Sequence, residues 1–342
     1  MAKQLNSQQG QAQRCRTYII VIAMLIFCTI TLIAAIILIF PDSLNDDPTL
    51  WKINNIIPLF KNDSANPTGS NAEPDALVFA DITAANACMM NADSGFLIFE
   101  KNAHEKIAPA STAKMLTALT VLEYCAADDS VTVGSEITMV SANSSTAWLY
   151  EGDILTVRQL LVALLLPSGN DAAYTLAVHT GRNISQDNSL TFRQYVDIFI
   201  DAMNEKARSI GASSSAFLSP DGYDAQGQYT TAYDMSQIAR ACLNNVYLAE
   251  IMSRYSIYEK WPGGREVTYN NTNELLNPES SFYYPDAIGL KTGNSREAGA
   301  CLVSAAVIDG KTYICVIMGS ADETRFSDSI GLYNELKNSQ LH

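Results

Sequence analysis

Hydrophobic and polar positions divide the chain into three regimes. From Tyr18 to Phe40 no charged residue interrupts the apolar run, which is long enough for a transmembrane helix of about 20 residues. A cleavable signal peptide has an apolar stretch of only about 7 to 15 residues and ends in a small-x-small site. This run ends Ile39-Phe40-Pro41 instead, so an uncleaved anchor over residues 18–40 is expected. Between Pro41 and about residue 76 no apolar period persists, and Asn, Asp, Ser and Pro concentrate at residues 62–70, the pattern of a spacer. Residues 77–342 then read as one domain. Ala87-Cys88-Met89-Met90, the turn residues 91–95 and Phe96-Leu97-Ile98-Phe99 predict strand, turn and strand. A second hairpin is predicted from Ala300 to Ile308 and from Thr312 to Met318, joined at Asp309-Gly310.

Helices fill the space between. Apolar residues at 192, 195, 196, 199, 200, 203, 207 and 210 mark one helical face, with Gly211 as its stop. Thr156 and Gln159 fit a capping box opening a helix through Leu160–Leu166, Pro167 interrupts it, and helix resumes at Asp171 and runs until Gly181. Strands at both ends around a helical middle predict an α+β fold: one antiparallel sheet built from both ends of the domain, with an all-helical lobe inserted.

Charge sharpens this division. The chain has 22 Lys and Arg against 36 acids, but residues 1–40 hold Lys3, Arg14, Arg16 and no acid, leaving a net of −17 for the remainder. The positive-inside rule puts residues 1–17 in the cytoplasm and everything after Phe40 outside, and the acidity excludes a nucleic-acid partner. Of seven cysteines, Cys15 and Cys28 belong to the tail and anchor, which leaves an odd five and no Cys-x-x-Cys pair. Buried free thiols are expected, and neither a metal nor a cofactor.

Three short motifs carry candidate chemistry. Pro109-Ala110-Ser111-Thr112-Ala113-Lys114 precedes a helical run, so Ser111 is a predicted helix start and shares a face with Lys114, one turn on. A serine hydroxyl becomes a nucleophile when a base takes its proton, and a lysine serves only if burial or another cation depresses its pKa from about 10.4. Ser168-Gly169-Asn170 sits in the break between two apolar helices, where a hydroxyl and an amide can be held rigidly. Lys291-Thr292-Gly293 follows the strand-like Asp286–Leu290 and offers a cation and a hydroxyl to a carboxylate; Gly289 in that strand permits close backbone approach. Each motif has a plainer reading, as a capped helix, an interhelical turn, and a strand leading into a turn. Ser43-Leu44-Asn45 and Ser141-Ala142-Asn143 also match Ser-x-Asn. The three together, in order and 57 and 123 residues apart, are far more specific.

That set is shared by penicillin-binding proteins and class A β-lactamases. With Leu166–Ala173, Tyr229–Met235 and Gly289–Gly293, the chain from about Ala84 to Leu336 resembles D-alanyl-D-alanine carboxypeptidases of the low-molecular-mass penicillin-binding type. The resemblance implies the β-lactamase/transpeptidase-like fold and a serine-type carboxypeptidase acting on peptidoglycan stem peptides that end in D-Ala-D-Ala, with β-lactams as inhibitors. It implies Ser111 as nucleophile, Lys114 as base, Ser168 as proton relay and Asn170 as an orienting group. Lys291, Thr292 and Gly293 would hold the terminal carboxylate, helped by Arg325, and the N–H groups of Ser111 and Asn294 would form the oxyanion hole.

Some positions depart from that pattern. Glu274-Leu275-Leu276-Asn277 is the nearest approach to the deacylating glutamate of a β-lactamase, but with the wrong spacing, so rapid β-lactam hydrolysis is disfavoured. Asp221 stands where relatives often carry His or Asn, and Asn294 where His or Tyr is common. A membrane-tethered wall-binding protein that keeps only the fold is the remaining alternative. A histidine-based hydrolase has little support: His104, His179 and His342 are the chain's three histidines, and there is no Gly-x-Ser-x-Gly elbow.

Overall fold

The computed structural model describes residues 82–339. The tail, the anchor predicted at 18–40, the whole linker predicted over 41–76 and residues 77–81 of the predicted domain lie outside them, and no described helix is long and apolar enough to cross a membrane.

The chain enters with β1 (Asn86–Asn91) and β2 (Leu97–Lys101), leaves to build helices, and returns with β7 (Ala287–Ser295), β8 (Gly299–Ile308) and β9 (Lys311–Ser320). These form one antiparallel sheet in the order β2-β1-β9-β8-β7. β3 (Ser130–Thr132) with β4 (Ile154–Thr156), and β5 (Ser256–Lys260) with β6 (Glu266–Asn270), make two small antiparallel pairs within the inserted region. Asp309 and Gly310 both take positive φ, 49° and 74°, as the two-residue turn between β8 and β9 requires.

Alternation along the strands splits the core. Tyr313, Cys315 and Ile317 of β9, with Leu302 and Ala306 of β8, pack with Phe326, Leu332 and Tyr333 of the last helix, Thr324–Ser339. Ile314, Val316 and Met318, with Cys301, Val303 and Ala305, face the inserted helices. Because both faces are covered, the strands read as continuous apolar runs rather than as a polar alternation.

The insertion holds α1 (Lys114–Tyr124), α2 (Val157–Leu165), α3 (Asn170–Ser185), α4 (Phe192–Ser209), α5 (Ala232–Leu243) and α6 (Val246–Ser253); the C-terminal helix is α7. The capping box at Thr156 and Gln159 opens α2 as expected, and Thr191 with Gln194 forms a second one at α4. Gly181 does not stop α3, contrary to its reading as a terminator. A Cβ there would lie 2.1 Å from the Tyr195 carbonyl oxygen, so this glycine lets α3 and α4 approach rather than breaking the helix. All five described cysteines outside the tail and anchor are buried and free.

Candidate active site

Ser111 stands in a 3-10 turn, Ala110–Ala113, immediately before α1; it precedes the α-helix rather than starting it. Two glycines clamp that turn. A Cβ on Gly222, whose φ is +77°, would lie 1.9 Å from the Ala110 carbonyl oxygen, and one on Gly293 would lie 3.1 Å from both the Ser111 nitrogen and the Ala110 Cβ. The second contact brings β7 against the nucleophile turn, and it exists because Lys291-Thr292-Gly293 lies within β7 rather than in a turn after it. Gly289 also allows a close approach, but to the Met252 carbonyl oxygen of α6, 3.0 Å from its would-be Cβ.

Lys114, fully buried, donates from Nζ to Ser111 Oγ at 2.7 Å and to the Asp221 carbonyl at 2.9 Å. Burial lowers its pKa to about 8, although the carboxylates of Asp221 and Asp171 pull the other way. Lys291, also fully buried, donates to its neighbour's carbonyl, that of Thr292, at 3.1 Å. Its pKa falls well below the ordinary range, first through burial and then through the charges of Lys114 and Arg325. Two cations so placed repel one another, so the pair resists holding two protons at once. A hydroxyl within hydrogen-bond reach of an amine that sheds its proton near neutrality is an activated nucleophile.

Ser168 and Asn170 arrive from the break between α2 and α3. Ser168 has φ 65°, a conformation that costs a non-glycine residue energy. It is held by Ser145, whose Oγ donates to the Ser168 carbonyl at 2.7 Å and whose own carbonyl accepts the Asn170 N–H at 2.9 Å. Ser168 Oγ and Asn170 Oδ1 are buried and have no hydrogen-bond partner among the described residues. Both residues open into a cleft of about 460 Å³ whose walls include Ser111, Thr292, Gly293, Asn294 and Arg325. Arg325 donates from Nη1 to the Gly293 carbonyl at 3.1 Å. The Asn294 side-chain amide donates to the Asp322 carboxylate.

The fold thus gathers the three motifs, Asn294 and Arg325 around one cleft, with one refinement. Lys114 and Lys291 are fully buried and do not line the cleft, whereas Ser111, Thr292 and Arg325 do. Two further contributors were not identified from sequence. Ser145 and Thr272 line the cleft; Thr272 hydrogen-bonds Thr292 through their hydroxyls and its N–H reaches the Leu166 carbonyl at 3.2 Å. Asp221 contributes a backbone carbonyl, which carries no residue signature. Asn143, from one of the rival Ser-x-Asn matches, also reaches the cleft rim. Glu274 opens a 3-10 turn capped by Asn273, accepts from the Asn277 side-chain amide, and is not among the cleft residues.

Ser-x-x-Lys, Ser-x-Asn and Lys-Thr-Gly, brought together between an antiparallel sheet and a helical lobe, are the motif set shared by penicillin-binding proteins and class A β-lactamases. The D-alanyl-D-alanine carboxypeptidase family profile matches residues 70–322, and the chain belongs to this family. It is 34% identical over 267 residues to a D-alanyl-D-alanine carboxypeptidase of Streptomyces sp. strain K15, covering 74% of this chain and 87% of the relative. It is 28% identical over 243 residues to D-alanyl-D-alanine carboxypeptidase DacF of Bacillus subtilis, covering 70% of this chain but only 58% of DacF. The crystal structure of the Streptomyces K15 DD-transpeptidase superposes with a TM-score of 0.68 at 34% identity, over 75% of this chain and 98% of that one.

Proposed function

We propose that this protein is a serine D-Ala-D-Ala carboxypeptidase that trims peptidoglycan stem peptides through a Ser111 acyl-enzyme. The observation that carries the reading is the 2.7 Å contact between Ser111 Oγ and a fully buried Lys114 whose pKa is lowered to about 8. The substrate's terminal carboxylate sits against the Thr292 hydroxyl and the Arg325 guanidinium, with Lys291 supplying charge from its buried position. Its arrival gives Lys291 a counter-charge and favours the protonated form there; that cation in turn disfavours a proton on Lys114. Ser111 Oγ then attacks the carbonyl carbon between the two D-alanines and its proton passes to Lys114 Nζ. The oxyanion is met by the N–H groups of Ser111 and Asn294, a contribution of about 3 to 4 kcal/mol for one such donor in other enzymes. The Ser168 hydroxyl relays a proton to the departing D-alanine amine, Asn170 orients the groups around Lys114, and water releases the shortened peptide.

The expected anchor over residues 18–40 agrees with this reading, because it would hold the domain outside the membrane, where its substrate is. The test uses a labelled penicillin and, separately, a pentapeptide ending in D-Ala-D-Ala. A covalent adduct on Ser111 and release of free D-alanine are expected, and Ser111→Ala abolishes both. An adduct without D-alanine release favours the wall-binding alternative. Fast hydrolysis of the penicillin moves the protein to the β-lactamase side.

A further inference from the structure

The helix that opens at Lys114 spans eleven residues, about 16 Å, and a second reactive cluster stands beyond its far end. Cys125 caps α1, Asp129 closes the turn that follows, and His179 projects from α3. One potential ligand atom from each, the Cys125 sulfur, an Asp129 carboxylate oxygen and a His179 ring nitrogen, lies within 4.8 Å of the others. We propose that Cys125, Asp129 and His179 form a site for a borderline-soft divalent cation of the zinc type, separate from the acyl-transfer site.

Several features favour a cation over simple packing. His179 Nε2 is buried and has no hydrogen-bond partner among the described residues, an orphan that coordination through that nitrogen would satisfy. The Cys125 sulfur is hydrogen-bonded by the Thr180 hydroxyl and accepts from the Asn183 side-chain amide, each at 3.4 Å. Those two groups follow His179 on the same helix and would stay on the thiolate as outer-shell support.

The Asp129 carboxylate accepts the Ala126 N–H at 2.9 Å, and its backbone is pinned by the Val157 N–H at 2.9 Å. Cys125, though neither Asp129 nor His179, borders a surface hollow shared with Ala126, Asp128 and Arg158, which brings solvent to the sulfur side of the cluster. Sulfur, nitrogen and oxygen donors together suit zinc, whose tetrahedral bonds of about 2.0–2.3 Å put ligand atoms roughly 3.3–3.7 Å apart. Side-chain rotation on these fixed backbones must close about 1 Å. On coordination Cys125 gives its thiol proton to solvent, and no electrons are exchanged.

The test titrates the purified full-length protein with Zn²⁺ against a chromophoric chelator and with Co²⁺ in the spectrophotometer. One equivalent is expected, with a sulfur-to-cobalt charge-transfer band and the visible bands of a tetrahedral site. Cys125→Ser and His179→Gln should each weaken binding by more than about tenfold, since outer-shell losses alone cost about 10- to 100-fold. Should either variant fail to fold, alkylation of the parent protein decides: peptide mass mapping should show Zn²⁺ protecting Cys125 from iodoacetamide. Undiminished alkylation of Cys125 at saturating Zn²⁺, or unchanged affinity in folded variants, overturns the proposal.

Discussion

Lys114 shows how a common side chain acquires a rare property. Its burial, not its chemical type, lowers its pKa to about 8, so at neutral pH only a minor fraction of chains holds the neutral amine beside Ser111. Acylation by penicillin should therefore climb as pH rises from 6 through about 8 and then level, provided the β-lactam itself is stable over that range. A stopped-flow or gel-based rate profile that is flat across this window would remove Lys114 from the role of base. The same shift acts on stability in a definite direction: between about 8 and the unfolded value near 10.4 the unfolded chain binds the extra proton, so stability rises with pH there. Lys114→Met should remove this one contribution, read in chemical denaturation curves as a less positive slope of unfolding free energy against pH than in the parent; Lys291 adds to the slope in both proteins and the buried thiols, raised by burial, oppose it in both. Arg325 belongs to the same scale. Arg325→Leu should lower kcat/KM for peptides with a free terminal carboxylate by about 10-fold or more, the cost of a charge-assisted hydrogen bond of about 1.5–3 kcal/mol, and should affect an amidated peptide less.

The elements that place these residues meet through backbone, and their meeting points are glycines. Gly222 and Gly293 bring the segment before α5 and strand β7 against the turn that carries Ser111. Gly222→Ala adds a methyl 1.9 Å from the Ala110 carbonyl oxygen at a φ of +77°; it should destabilise the fold by about 2 kcal/mol or more and slow acylation, read by thermal melting and penicillin labelling. These glycines also mark where pattern reading stops. The capping box at Thr156 and the Asp309-Gly310 turn are local instructions and were legible as such. Gly181, by contrast, sits in mid-helix beneath the Tyr195 carbonyl, and nothing in its own neighbourhood distinguishes a close crossing from a helix stop. The Lys-Thr-Gly segment reads locally as a strand running into a turn, whereas pairing with β8 continues it as strand through Ser295.

At the scale of the molecule, the domain is closed by its two ends. Asp328 of α7 accepts the Thr83 and Ala84 N–H groups at 3.0–3.2 Å and the Thr83 hydroxyl at 2.9 Å. It therefore fastens the residues before β1 to the C-terminal helix. Asp328→Ala leaves two backbone amides without this acceptor and should cost about 2–4 kcal/mol of global stability, measured by denaturant unfolding, with little change in the pH profile of acylation. The five described free thiols are all buried, so no disulfide among them contributes, and reductant should leave the unfolding midpoint unchanged.

The sequence by itself determined the α+β order of elements, the two hairpins that build the sheet, the three motifs and the type of chemistry they permit, because these depend on periodicity, turn residues and short spacings along the chain. Only the tertiary structure decided that Lys114 and Lys291 are fully buried and do not line the cleft, whereas Thr292 and Arg325 do. It also decided that Ser145, Thr272 and the Asp221 carbonyl complete the site, and that Cys125, Asp129 and His179 converge on one point. The reason is physical: desolvation, close backbone approach and the meeting of groups from different helices and strands are properties of packed segments, and no local pattern along a chain encodes them.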